Sequence, residues 1–295
     1  MIDTSHCQIS VTESRPDGRP ILFIHGNSSC KEVFRHQIAS SGFGDRYRCI
    51  AMDLPGHGAS ADALDPVKTY CIPGYADCAL ELLSILKAEN AIIVGWSLGG
   101  HIAIEMVSKS KQIPAYSISG TPPVGKGEEA LAAGFLPSEH MHLAGQRDFS
   151  DEETDAYAHA TCGINAPYEA FLLNAVKRTD GQARKNMFAA FAAGLGCDQQ
   201  QLVQTNKTPL AIINGADEPF VNNDFVGSLT YANLWENKVH LLDKIGQLSH
   251  VARPCIGHET AEQQCPCGNI GRGALRVREE FITASLSGAV LQKIQ

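Results

Sequence analysis

A chain of 295 residues with 44% hydrophobic and 19% charged residues can bury a sizeable core, as one large α/β domain or as a core with a smaller cap. Its net charge of −8 argues against nucleic acid or an anionic membrane as the main partner. No apolar run approaches the roughly 18 residues that span a bilayer. Met1-Ile2-Asp3-Thr4-Ser5-His6 has neither the basic head nor the apolar stretch of a secretory leader. The ten cysteines stand mostly singly in apolar segments, as at Cys49, Cys71 and Cys78, and read as reduced thiols rather than a disulfide framework. A cytoplasmic protein is expected, in which the sequons at Asn27 and Asn206 go unused.

In chain order, Cys7 to Glu13 alternates apolar and polar residues and predicts an edge strand. Pro20 to Ile24 is a continuous apolar run, a buried strand, and it ends in His25-Gly26-Asn27-Ser28-Ser29. His25 is expected to bond loop backbone. A helix is expected over about 30–39, then a buried strand from Tyr47 to Met52. The loop that follows, Asp53-Leu54-Pro55-Gly56-His57-Gly58-Ala59-Ser60, is a tight excursion in which Asp53 caps backbone N–H groups and His57 serves shape. Tyr75, Cys78, Ala79, Leu82, Leu83 and Leu86 fall on one face of a helix.

Asn90 to Val94 is the next strand, and Leu98, Ile102, Ala103 and Met106 mark the helix after it. Between them Gly95-Trp96-Ser97-Leu98-Gly99 fits Gly-x-Ser-x-Gly, the turn that lifts a nucleophilic serine to the carboxyl edge of a sheet. The flanking glycines let strand and helix approach closely. The first N–H groups of the helix then lie beside the serine, where they can stabilise an oxyanion. A strand over 113–119 completes a β-α-β-α-β-α-β order, which predicts a doubly wound, mostly parallel sheet. Gly120-Thr121-Pro122-Pro123-Val124-Gly125-Lys126-Gly127 nearly spells a phosphate loop, but Gly127 stands where a Ser or Thr would hold magnesium, and two prolines remove N–H groups. It reads as an exit loop, and no cofactor is expected.

From 121 to 206 the rhythm stops. Helical stretches near Asp151–Ala160, Tyr168–Lys177 and Arg184–Ala193 predict an inserted cap over a core of residues 1–120 and 207–295. Of Phe135, Phe149, Tyr157, Phe171, Phe188 and Phe191, about a third are expected to line a pocket, by the usual apolar lining of ligand sites. The sheet resumes at Pro209 to Ile213, followed by Asn214-Gly215-Ala216-Asp217-Glu218-Pro219-Phe220, and again at Lys238 to Leu242, followed by a loop that reaches His250. The last predicted helix is Leu275 to Leu291.

A serine nucleophile needs a base, and the base needs a carboxylate to fix its tautomer. Ser97, then an acid after one strand, then His250 after the next, is the order of the elbow hydrolases. These features identify the chain as a member of the α/β-hydrolase superfamily. Within it the chain resembles the N-acyl-homoserine lactonases of α/β-hydrolase type, through His25-Gly26-Asn27-Ser28-Ser29, Gly99-Gly100-His101-Ile102, Gly120-Thr121-Pro122-Pro123-Val124, Thr161-Cys162-Gly163, Asn214-Gly215-Ala216-Asp217-Glu218-Pro219-Phe220 and Asn233-Leu234-Trp235-Glu236.

The resemblance implies a small ester or lactone as substrate, with opening of a homoserine lactone ring. It implies Ser97 as nucleophile and Leu98 with Asn27 or Ser28 as oxyanion donors. It also implies a lid in which Tyr157 contacts the substrate; Trp96, beside the nucleophile, is the other candidate contact. The superfamily's acid sits three residues after the strand-end glycine, before a proline, which favours Glu218 over Asp217. The chain departs from the family at Gln247, where the base is expected; Gln has no titratable nitrogen. His250 is then either the working base or an accessory histidine. A carboxylesterase, a carbon–carbon bond hydrolase and a catalytically impaired binding protein are the other readings. Cys255, His258, Cys265 and Cys267 do not have a usual zinc spacing, and their segment reads as a surface loop without metal.

Overall fold

The computed structural model describes residues 1–40, 43–162 and 169–243. Gly163, Gln247, His250, the cysteine-containing segment from Cys255 and the helix expected over Leu275 to Leu291 lie outside the described residues.

Nine strands are described: β1 (Ile2–Asp3), β2 (Gln8–Ile9), β3 (Val11–Glu13), β4 (Arg19–Ile24), β5 (Tyr47–Met52), β6 (Ile92–Trp96), β7 (Tyr116–Ser119), β8 (Leu210–Gly215) and β9 (His240–Leu242). β1 and β2 form a short antiparallel ribbon; the other seven make one sheet in the order β3-β5-β4-β6-β7-β8-β9. Every pair in that sheet is parallel except β3 with β5. The apolar runs at β4 and β6 are central and buried, as continuous rather than alternating hydrophobicity requires. Alternate residues of β4 feed opposite layers. Leu22 and Ile24 pack with Leu82 and Ile102 on one face, and Ile21 and Phe23 pack with Phe34 and Trp96 on the other.

The helices are α1 (Arg35–Ala39), α2 (Pro66–Thr69), α3 (Ile72–Ile85), α4 (Leu98–Lys109), α5 (Glu128–Gly134), α6 (Asp151–Cys162), α7 (Ala170–Arg178), α8 (Gly181–Ala192), α9 (Gln199–Thr205) and α10 (Asn223–Ser228). Helices α5 to α9 all fall between β7 and β8. Asp180 starts α8 by accepting the Gln182 N–H, and Asp198 starts α9 by accepting the Gln201 N–H.

Local details differ from the sequence pattern. The alternating run over 7–13 is two strands, because Ser10 turns aside: its N–H donates to Ser60 Oγ and its carbonyl accepts the Asp53 N–H. The helix expected over 30–39 is a 3-10 turn, Lys31–Phe34, followed by the five-residue α1. The strand before the elbow runs through Trp96 rather than ending at Val94. Pro114, which lacks an N–H, leaves β7 to begin at Tyr116.

Candidate active site

The site is built around the turn from β6 to α4. Ser97 sits at its apex with φ +53° and ψ −119°, a conformation outside the helical and extended regions. Backbone on both sides holds it there. The Ser97 N–H donates to Ser119 O at 2.8 Å, and Ser97 O accepts from Gly100 N–H at 2.9 Å. The Thr121 hydroxyl meets Ser97 O at 2.8 Å. The glycines are sterically obligatory: a Cβ on Gly95 would run into the Gly99 carbonyl, and one on Gly99 into the Ile24 carbonyl. Leu98 is the first residue of α4, so its N–H has no intrahelical acceptor and stands beside Ser97.

The loop after β4 closes one side. His25 is fully buried; its Nδ1 pairs with Gly26 O at 2.7 Å and its Nε2 accepts the Leu54 N–H at 3.0 Å. Both ring nitrogens therefore serve loop backbone. Asp53 accepts from the Lys31 N–H and the Ala59 N–H and pairs with Lys31 Nζ at 2.7 Å, which occupies it structurally. His57 is buried and uncharged: desolvation first, then His25, pushes it down to about 3. Asn27 faces the cavity described below, and its amide donates to Ala144 O at 2.9 Å and Tyr157 Oη at 3.4 Å. Ser28, at φ +54°, is buried and does not line that cavity.

Ser97 opens into a cavity of about 320 Å³ between the sheet edge and the helices that follow β7. Trp96, Leu98 and Tyr157 line it with Asn27, so four of the predicted site residues are gathered around Ser97. Phe135, Tyr157, Phe188 and Phe191 line it too, four of the six aromatics considered and more than the third expected. The helices after β7 keep only a small core of their own, Leu143, Tyr157, Ala158 and Val176 with Phe149 packed against it, and Phe135, Phe188 and Phe191 are left to line the cavity. Burial pushes the Tyr157 hydroxyl up to about 12, so it stays protonated.

The acid loop follows β8. Asp217 is exposed, whereas Glu218 is only 5% exposed. Glu218 Oε1 accepts the Phe220 N–H at 3.2 Å, and Oε2 has no partner among the described residues. Burial raises this carboxyl to about 7, against the opposing backbone N–H groups of Phe220 and Val221. Asn214, at the end of β8, ties this strand to the elbow by accepting the Gly120 N–H at 2.9 Å. Among the described residues no group of His, Cys, Asp or Glu is placed to hold a metal.

Four contributors were not among the predicted site residues. Asn214 and Thr121 brace the elbow. Arg184 is buried without a carboxylate: its Nε donates to Gln146 O and its Nη2 to Arg147 O, both at 2.9 Å, and it lies 4.1 Å over the Phe149 ring. The fourth, His101, stands one helical turn beyond Ser97 and lines the cavity. Its position four residues after the serine was the signal available in the sequence.

The model of the alpha/beta hydrolase fold matches residues 19–254. The chain belongs to the α/β-hydrolase fold family. This hydrolase-fold chain is 40% identical to the N-acyl homoserine lactonase AidH, solved in complex with N-butanoyl homoserine, over 98% of this chain and 97% of that one, with a TM-score of 0.85. A serine-to-glycine variant of AidH has been solved with N-hexanoyl homoserine lactone, and a glutamate-to-glycine variant with N-hexanoyl homoserine. Among curated proteins, the chain is 29% identical to the 2-(acetamidomethylene)succinate hydrolase of Mesorhizobium japonicum, over 75% of this chain and 78% of that protein. It is 36% identical to the AB hydrolase superfamily protein YisY of Bacillus subtilis, over 31% of this chain. That alignment spans only about a third of YisY, 33% of its length. Family and relatives together support an ester-bond hydrolase.

Proposed function

We propose that this chain is a serine hydrolase that opens the lactone ring of N-acyl homoserine lactones. The observation that carries the reading is a strained serine at the floor of an apolar cavity, in a chain alike over nearly its whole length to a lactonase. Ser97 attacks the ring carbonyl. The N–H groups of Leu98 and of Asn27 or Ser28 receive the oxyanion, and Trp96 and Tyr157 contact the substrate. The pairing of intact lactone with a serine variant of AidH, and of opened product with a glutamate variant, supports a serine and a glutamate as the working groups. Glu218 is then the acid. Its buried oxygen, without a partner among the described residues, is suited to the N–H of an imidazole, and His250 is the base this reading requires. The helices over 121–206 act as the lid. Among the described residues Cys7, Cys30, Cys49, Cys71, Cys78 and Cys197 are free thiols, which suits a cytoplasmic protein.

A second reading, hydrolysis of another small carbonyl substrate on the same groups, is favoured by the likeness to 2-(acetamidomethylene)succinate hydrolase. Rates on N-butanoyl and N-hexanoyl homoserine lactone, against short nitrophenyl esters, separate the two. Ser97→Ala should abolish turnover of either class; an unchanged rate refutes the mechanism. Labelling by a fluorophosphonate tests the base. His250→Ala should stop labelling if His250 works, whereas gain of labelling only in Gln247→His marks a binding protein whose base was lost.

A further inference from the structure

His101 is a titratable group in the cavity that the mechanism does not use. The His101 N–H donates to Ser97 O at 3.3 Å, which places the two residues one turn of α4 apart. Its ring stands in an aromatic setting, with centroids 4.9 Å from Phe191 and 6.1 Å from Phe135. Nδ1 pairs with Gln199 Oε1 at 2.8 Å, and Gln199 is itself buried. An amide oxygen only accepts, so Nδ1 carries the proton and Nε2 keeps its lone pair. The side chain's one hydrogen bond among the described residues is through Nδ1, and the residue lines the cavity, which leaves Nε2 for a ligand. Burial pushes this imidazole down to about 4, so the ring is neutral and the lone pair persists at pH 7.

We infer that His101 is a specificity-determining residue, accepting a hydrogen bond from a hydroxyl on the third carbon of the substrate's acyl chain. This rests on the lactone reading above. Ser97 and His101 line the same cavity one turn of α4 apart. One turn of helix moves the Cα by about 6 Å. The third acyl carbon lies five bonds from the attacked ring carbonyl, about 6 Å when extended. An alkyl chain passing this point would cover the Nε2 lone pair without replacing its hydrogen bond to water. A keto oxygen would set lone pair against lone pair. Only a hydroxyl supplies the missing proton, and Gln199 acts as the positioning residue that fixes the tautomer offering the acceptor.

The test compares kcat/KM for N-hexanoyl, N-(3-oxohexanoyl) and N-(3-hydroxyhexanoyl) homoserine lactone in the parent, His101→Phe and Gln199→Met. The parent should favour the hydroxylated lactone about tenfold over the other two, the scale of one hydrogen bond. His101→Phe should bring that ratio close to one. Gln199→Met, which leaves the ring in place, should lower it as well, and it decides the matter if His101→Phe does not fold. A ratio near one in the parent, or a tenfold ratio that survives both substitutions, overturns the assignment. If none of the lactones is turned over, the lactone reading fails by itself, and calorimetric titration of the parent with the same three compounds takes over. Tighter binding of the hydroxylated compound, lost in His101→Phe, still supports the subsite; equal binding, or none, overturns it.

Discussion

Two loops at the carboxyl edge of the sheet, the elbow after β6 and the acid loop after β8, are built on different physics. The elbow is held by main chain. Ser97 is fixed between the Ser119 carbonyl and the start of α4, and the glycines at 95 and 99 admit backbone where any Cβ would collide. The acid loop is defined by desolvation. Glu218 has one oxygen on the Phe220 N–H and the other without a partner among the described residues, and burial raises its carboxyl. The elbow holds Ser97 in a left-handed backbone conformation that its main-chain bonds over-determine. The loop after β8 instead leaves a buried carboxyl whose charge is costly unless a donor meets it.

The largest effect is expected at the elbow. Gly99→Ala would force a methyl into the Ile24 carbonyl, and it should lose about 3 kcal/mol or more of stability together with all turnover. Urea unfolding reports it; a stable, active variant would show that the turn is looser than its contacts imply.

At the acid loop, Glu218→Gln should lower kcat/KM by about 10²- to 10⁴-fold, because a neutral amide cannot support a charged imidazole. Its stability has a signed pH dependence. The carboxyl is raised from 4.5 to about 7, so the native state holds a proton that the unfolded chain has lost between those values. The stabilising contribution is full below pH 4.5 and is lost as pH rises through 7. Glu218→Gln removes that loss, and so should gain on the parent by up to about 3 kcal/mol between pH 4.5 and pH 8. Urea melts at both pH values measure it. A difference that does not change with pH would show that a cationic partner keeps Glu218 ionised.

Arg184→Met sharpens the comparison from the helical side. It should cost about 1–3 kcal/mol by leaving the Gln146 and Arg147 carbonyls without donors, and Arg184→Lys should recover little, since one ammonium cannot reproduce the fork. Thermal unfolding checks both. The smallest effect is expected at Asp217→Asn: stability within about 0.5 kcal/mol and an unchanged rate, because the side chain is exposed. A large loss of rate there would exchange the roles of the two carboxylates.

The fold and the strand-turn-helix elbow at Ser97 were legible because their signals are local. Apolar runs of strand length, helical spacing from Tyr75 to Leu86 and paired glycines around Ser97 each follow from backbone sterics within a few residues. The count from Gly215 favoured Glu218, but the separation of Glu218 from Asp217 came from burial. No spacing could reveal Arg184, whose partners at Gln146 and Arg147 are brought to it by the packing of α8 on the turn over 141–145. Asn214 is likewise remote in sequence from the Gly120 N–H it accepts.

By itself the sequence determined a mostly parallel α/β sheet with an elbow serine and a helical stretch between β7 and β8. That information resides in short-range hydrophobic patterning and in residues a few positions apart. Only the tertiary structure decided which loop residues face the cavity, which carboxylate is desolvated, and that His101, paired through Nδ1 with Gln199, lines the cavity one turn from Ser97. Burial and hydrogen-bond satisfaction depend on segments distant along the chain, and those meet only when the sheet edge and the helices close on each other.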